Sequence, residues 1–522
     1  MPSRSVAALS LLAALTPIAP IASAQWAIDP ALNLTIADRS GEQVQPKIRV
    51  HADGSASVSW LDNAAGGYDT FVSRLSAAGV EQWGHNGVLV ADTAYSSTQD
   101  YGFDIDSAGR SVVAFRDDNS GGSHVGVQLL DAAGTPVWTP ATTRVTTAST
   151  ANSPHVAATD DGGFVVGWSS GSGFRLQRLD ASGVAQWAAG GINLQPATGS
   201  YAVSSIVASD DGSVIVLWIR YVGNFLSNKH LFAQKFDAAG APRWNGGNPV
   251  IVFDANSIQN GYFPTFISDG AGGAVFTWYE IGGSRTASVQ RISSAGFERF
   301  PHNGVPVSTN TDRIRLTPSV TFNPATGDTF AAWPEANIGQ NQWGIRAQRI
   351  DDSGLRQWGD SGLEVLPLSA VQPSFVRCTL SQGGLNAFWI ASSGQPSALR
   401  GTHLDAAGTP TWPNGIIDVS SVASVKGRLD AVAGPSGCSY LAWHDNRADA
   451  NNIVGQVVNA DGSLGPCSTS CPSDTDQDDD VDSDDIVLFF TNWEQGEGDF
   501  DGDGDTDSDD VIGFFLAWER GC

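Results

Sequence analysis

The residues best suited to chemistry stand near the end of the chain, in two acidic runs 25 residues apart. The first extends from Asp474 to Asp485 and leads into an apolar stretch, Ile486-Val-Leu-Phe-Phe-Thr-Asn-Trp493. The second extends from Asp499 to Asp510 and leads into Val511-Ile-Gly-Phe-Phe-Leu-Ala-Trp518. Counted as twelve-residue loops, they place carboxylates at positions 1, 3, 5, 9 and 12. These are Asp474, Asp476, Asp478, Asp482 and Asp485, then Asp499, Asp501, Asp503, Asp507 and Asp510. Position 7, filled by Asp480 and Asp505, offers a backbone carbonyl. Calcium is a hard cation that takes six to eight oxygen ligands from a flexible loop, so the pattern predicts two calcium ions. Gly504 fills the sharp-turn position of the second loop, and Asp479 replaces it in the first. A solvated acidic tail is the bland alternative. Such a tail has no reason to repeat Phe-Phe-x-x-Trp in register after each acid run.

A helix must follow each loop, but none precedes one. Only Gln495-Gly-Glu-Gly498 stands before the second loop, and Cys471-Pro-Ser before the first. The unit is loop then helix, twice. It resembles a dockerin, the calcium-binding module that plugs secreted proteins into a cohesin partner. The start at Cys471 and the Gly521-Cys522 ending resemble the GC-type variety found at the C-termini of secreted bacterial proteins. The resemblance implies that Ser483, Asp484, Ser508 and Asp509, at loop positions 10 and 11, meet a cohesin-like or other docking protein. Dockerins of cellulase complexes often carry a hydroxyl pair there. Identical pairs in both halves imply near two-fold symmetry and two binding orientations. A Cys471–Cys522 disulfide would clasp the ends of the module.

The remaining cysteines leave the pairing open. Five cysteines leave at least one unpaired, Cys378 with Cys438 is one further pairing, and Cys467 is then left over. The N-terminus reads as an export signal over residues 1–24, with Arg4, an apolar run over 6–21 and Ala22-Ser-Ala24 before Gln25. No later stretch reaches the ~20 apolar residues of a membrane span. The expected location is therefore secreted, extracellular or associated with the cell surface, where disulfides persist. Of a net charge of −27, residues 471–522 supply 18 acids against one arginine. Nucleic acid is excluded as an expected partner, since no basic footprint is visible.

The chain upstream repeats itself. Leu130-Asp-Ala-Ala-Gly134-Thr-Pro-Val-Trp138 recurs with its glycine at 79, 134, 183, 240, 296, 354, 408 and 462. A second phrase interleaves, a glycine turn and then an alternating strand with an aromatic end, such as Asp53-Gly-Ser-Ala-Ser-Val-Ser-Trp60. Each unit of about 50 residues offers four short antiparallel strands and no helix, which predicts β-propeller blades. The eighth unit stops after its third strand, while Gln25-Trp26 to Leu34 reads as an orphan fourth. The expectation is an all-β, eight-bladed propeller closed by the N-terminal strand, with seven blades as the alternative. It spans residues 25–465, followed by a linker at 466–473 and the loop–helix pair at 474–522.

Short Asp-Gly and Ala-Gly turns gather on one face. Variable loops gather on the other, which is the expected side for a glycan or protein ligand. Acids follow the strand-end aromatic by two residues at Asp62, Asp117, Glu280, Glu335 and Asp445. They read as turn initiators, or alternatively as a carboxylate ring for cation binding or glycosidase work. Trp343 falls outside the repeat phrase and is a candidate for stacking on a sugar. The docking turn resembles that of eight-bladed quinoprotein dehydrogenases, whose vicinal cysteine pair is absent here, so no catalytic residue is assigned. The lead expectation is a secreted, non-enzymatic binding or scaffold protein. The alternatives are an extracellular polysaccharide-active hydrolase or lyase, and a structural cell-surface protein.

Overall fold

Five of the eight repeat phrases fold as a tight turn held by an aspartate, and Ser76 and Ser293 accept the corresponding hydrogen bond in two others. In the second copy, Asp131 Oδ1 accepts hydrogen bonds from the backbone N–H groups of Ala133 at 2.9 Å and Thr135 at 2.8 Å. Gly134 closes that turn at φ +80°, and a Cβ there would lie 2.8 Å from the indole of Trp83 in the preceding repeat. Trp83 Nε1 then donates to the Ala132 carbonyl at 3.0 Å. The same bond joins Trp138 to Ala181, Trp187 to Ala238, Trp244 to Ser294, Trp358 to Ala406 and Trp412 to Ala460. Glycine and tryptophan are thus the two halves of one joint between successive repeats.

The computed structural model describes residues 25–95, 100–118, 121–138, 143–145, 150–282, 285–392, 394–467, 473, 475–476, 483–500 and 505–520. The expected export signal lies outside these residues. The strands form eight antiparallel sheets, seven of four strands and one of five. The first blade runs Gln43–Val50, Ala56–Asp62, Tyr68–Leu75 and Val88–Tyr95 in sheet order. The last joins Lys426–Ala433, Ser439–Asp445 and Asn452–Val458 to the N-terminal strand Leu34–Ala37. The expected eight-bladed propeller, sealed by its N-terminus, is the observed fold. Its only helices longer than a single turn, among the described residues, are α1 (Ser483–Glu494) and α2 (Ser508–Arg520). Among the described residues, no helix is long and apolar enough to cross a membrane.

The core sits between blades. Trp60, Trp168, Trp218, Trp278, Trp333, Trp389 and Trp443, the strand-end tryptophans, are all fully buried. At the seam, Trp26 takes the joint position over Gly79, and its backbone N–H donates to Ala78 O at 3.2 Å.

Cys438 is bonded to Cys467, so the Cys378–Cys438 pairing is corrected; Cys378 is a buried free thiol. Topology explains the choice. Cys467 follows the last strand and returns onto the turn at Pro435–Gly437, with Sγ 3.4 Å from Pro435 O. Cys378 lies in the neighbouring blade, donating to Ser319 O at 3.3 Å. A bridge closing 29 residues contributes about 3–4 kcal/mol through the unfolded chain. Cys471 and Cys522 lie outside the described residues.

Two histidines brace neighbouring segments in the same way. His85 sits between Glu81 (2.7 Å) and Asp38 (2.8 Å), and His302 between Glu298 (3.0 Å) and Asp254 (3.1 Å). Burial opposes the His85 charge, but hydrogen bonds to Glu81 and Asp38 outweigh it and raise its pKa. The hydrogen bond to Glu298 raises that of His302. A raised folded pKa gives stability that is fully present below the unfolded value of about 6.5 and is lost as pH rises through the folded value. Both rings are nearly half exposed, at 47% and 48%, so screening limits each to on the order of 0.5 kcal/mol. Thermal melts should therefore show a small gain from pH 8.5 to pH 6 that shrinks in a His85→Gln, His302→Gln double variant. An unchanged pH profile in that variant would show that these braces contribute nothing.

Candidate functional site

The expected helix follows each loop, and both begin on a Ser-Asp-Asp triplet inside the last three loop positions, at Ser483 and Ser508. Acids in the first turn suit the positive end of the helix. Asp510 is buried and turns back over its own loop, accepting from Phe500 N at 2.6 Å and Asp507 N at 2.7 Å. Asp485 repeats this, accepting from Thr475 N at 2.6 Å and Asp476 N at 3.2 Å. One carboxylate oxygen from each of Asp505, Asp507 and Asp510 lies within 4.8 Å of the other two. Three hard anionic donors so close, in a loop already shaped by backbone hydrogen bonds, fit a calcium ion. Asp505 brings its side chain into this group, where only its backbone carbonyl was expected. Asp499 is exposed, and Asp474, Asp478, Asp480, Asp482, Asp501 and Asp503 lie outside the described residues.

The helices meet through aromatic rings. Phe489 and Phe514 stack with centroids 4.2 Å apart and planes 8° from parallel, and Phe500 closes edge-on against both. Trp493 Nε1 donates to Asp507 O at 3.0 Å and so ties α1 to the second loop. Ser483, Asp484, Ser508 and Asp509 are all exposed at matching positions.

The acids that follow the strand-end aromatics do not form a ring in the channel. Asp62 Oδ1 accepts from Ala64 N at 2.9 Å and lies 3.7 Å from Arg39. Glu280 accepts from Asn256 at 2.8 Å, and Glu335 is buried 2.8 Å from Arg346. Asp445 opposes burial with hydrogen bonds from Arg447, Ser424 and Trp443, which hold its carboxyl below the usual range. Local turn and ion-pair roles account for these four, and Asp117 is likewise buried at a strand end.

The propeller channel holds a different set of residues. Six of the eight innermost strands are bulged or broken: register slips at Val44/Lys47, Asn152/His155, Val203/Ser205, Ser374/Arg377 and Gly427/Asp430, and the sixth blade's first strand splits around Thr317. In five of them a non-glycine residue takes positive φ: Gln45, Ser153, Thr317, Phe375 and Arg428. A bulge re-aims the side chains that follow it. Lys47, His155, Ser319, Arg377 and Asp430, each two residues beyond such a position, line the channel. So does Ser205, just past the slip in the fourth blade.

The channel has two lobes of about 800 and 740 Å³ with several shared wall residues, among them Arg49, Phe263, Arg377 and Asp430. The larger lobe reaches Gln259, Arg285 and Gln372, on the variable loops expected to carry a binding site. Trp343 lines it too. Tyr262 and Tyr279 form a tilted ring pair 4.4 Å apart in the same wall. Arg49 lies 3.3 Å from Asp104 and 3.6 Å from Asp430, and Lys47 lies 2.7 Å from Asp100. Burial lowers the pKa of His155 to about 4, leaving it neutral, and pushes the Cys378 thiol up to about 12, which makes it a poor nucleophile. Sequence reasoning missed these cationic positions; the basic residues just after Pro46 and Pro373 were the available signal.

No protein-family model matches the chain, and no curated protein matches its sequence. Among solved structures it is similar to a protein of unknown function from Dyadobacter fermentans DSM 18053, at 11% identity and TM-score 0.39, covering 81% of this chain and 98% of that one. It is also similar to an endo-arabinase from Bacteroides thetaiotaomicron VPI-5482, at 11% identity and TM-score 0.29, covering 81% and 95%. A Hadza microbial sialidase, Hz136, aligns at 10% identity and TM-score 0.36, covering 77% and 75%. Several of these neighbours are hydrolases, at identities and scores too low to bear on what this chain does.

Proposed function

We propose that this chain is a secreted binding protein with two working parts. Its propeller presents a ligand site at the loop-side mouth of the channel. Its C-terminal loop–helix pair, ordered by two calcium ions, docks into a cohesin-like partner through Ser483, Asp484, Ser508 and Asp509. The mirrored closure of the two acidic loops, Asp485 on one and Asp510 on the other, carries this reading. The Cys438–Cys467 bridge agrees with an oxidising, extracellular location. A hydrolytic role finds less support: the channel carboxylates Asp100 and Asp430 are already paired with Lys47 and Arg49.

Bound calcium would neutralise carboxylates that otherwise repel each other, and the protein's own residues do the rest. Asp485 and Asp510 anchor the loops, and the phenylalanine stack joins the halves. That aromatic core is too small to hold two helices without help. Calorimetric calcium titration of the whole chain, with circular dichroism before and after chelation, tests the reading. Two sites and a chelation-sensitive helical signal are expected, and that signal is visible because the described residues of the propeller form no long helix. A flat titration would reduce the acid runs to a solvated tail.

A further inference from the structure

We propose that the channel binds an acidic saccharide, a chain of hexuronate units whose carboxylates reach Arg377 and Arg428 while a sugar ring lies against the exposed face of Phe263. This deepens the reading of the propeller as a binding module and rests on it.

Charge comes first. The two lobes are lined by Lys47, Arg49, Arg285, Arg377 and Arg428, against only Asp100 and Asp430. A cationic channel inside a chain of net charge −27 draws field lines inward and selects an anion. Lys47 and Arg49 are committed to carboxylates. Arg377 and Arg428 are not: among the described residues neither has a carboxylate within 4.0 Å, and the Arg377 side chain donates only to Val376 O at 3.0 Å. They stand on the innermost strands of adjacent blades, Ser374–Ser381 and Lys426–Ala433. Burial works against the Arg377 charge; the Asp430 carboxylate, itself shared with Arg49, offsets only part of this, and Arg428 adds to the cost. Arg377, half-buried, bears that cost until an anion arrives, while Arg428 is exposed and free to turn toward the same anion.

Strain points to the same place. Phe375 and Arg428 hold φ +52° and +54° at their bulges, a conformation that costs non-glycine residues about 1–3 kcal/mol and gathers at functional sites. Planar guanidinium forks match carboxylates in pairs. Phe263 lines both lobes and is 45% exposed, an uncovered aromatic face at the boundary between them. Amide and hydroxyl groups of Gln259, Gln372 and Ser205 complete the wall with hydrogen-bonding partners for sugar hydroxyls. Two connected lobes exceed what one small anion fills, which favours several linked rings.

The test is calorimetry on the full-length protein with calcium present. The probes are trigalacturonate, its neutral galactose counterpart and a glutamate-rich hexapeptide. Trigalacturonate should bind, weakening as salt rises, and the neutral sugar should bind at least tenfold more weakly. Arg428→Ala, an exposed substitution that should leave the fold intact, should cost roughly tenfold. Arg377→Lys should cost nearly as much, because lysine keeps charge but loses the fork. Equal binding of both sugars with unaltered arginine variants would keep the binding module and overturn the acidic ligand. Preference for the peptide would overturn the saccharide. No binding by any probe, from protein with an unchanged melt, would overturn the channel site while leaving the calcium titration to decide the docking module.

Discussion

Trp26→Ala should lower the melting midpoint of the propeller by roughly 3–5 °C, as a loss of about 3–5 kcal/mol implies for a unit of this size. Trp26 is only 2% exposed, meets Tyr440 edge-on at 6.0 Å, and covers Gly79 so closely that a Cβ there would clash with its backbone. Trp138 makes the same kind of joint in mid-ring, over Gly183. The two substitutions delete similar buried surface but differ in consequence. At Trp138 the strands on both sides remain covalently continuous with their sheets. At Trp26 the strand Leu34–Ala37 is held to Asn452–Val458 only by pairing and packing across the seam. Its release exposes two unpaired edges at once. Hydrogen exchange should show lost protection at Asn452–Val458 in Trp26→Ala, and only global destabilisation in Trp138→Ala. Equal, uniform exchange in both variants would show that the seam is no weaker than any other joint.

That seam was legible in the chain because the joint has a chemical signature. A tight turn needs its glycine and a polar side chain, usually aspartate, the neighbouring ring needs the missing Cβ, and the pair recurs around the propeller, with Phe300 replacing the indole over Gly354. The orphan Gln25-Trp26 segment could therefore be matched to a blade that lacked its fourth strand. The channel had no such signature. Its side chains are aimed by bulges at Gln45, Ser153 and Phe375, residues that do not announce a positive φ as glycine does. Strict alternation through Pro46 or Val376 assigns the wrong face to everything beyond, including Lys47 and Arg377. The disulfide was hidden for a related reason. Cys467 reaches Cys438 only because the chain doubles back after Asn452–Val458, a path set by closure and not by spacing. The acids at Asp62, Glu335 and Asp445 looked available until Arg39, Arg346 and Lys426 arrived from other segments to neutralise them.

Asp510→Asn should weaken calcium binding at the second loop by at least about 100-fold and remove most of the calcium-dependent helical signal. Asp510 has two jobs in different directions. One oxygen accepts from Phe500 N and the other from Asp507 N, so the side chain fixes the loop at both ends. It also shares its charge with Asp505 and Asp507. Asparagine keeps one acceptor, turns an amide donor toward a backbone donor, and removes the charge. Loop shape and cation attraction fail together. The loss should cross to the first loop, because Phe489 stacks on Phe514 and Trp493 is bonded to Asp507 O. Asp485→Asn should act in mirror image, and the double variant should bind no calcium in the accessible range. Asp484→Asn and Asp509→Asn alter exposed neighbours one residue away and should leave calcium affinity within a few-fold while impairing partner docking. If Asp510→Asn titrates like the unaltered chain, the buried carboxylate is a helix cap and nothing more. If Asp509→Asn weakens calcium as much as Asp510→Asn does, general acidity governs binding and the loop positions carry no meaning.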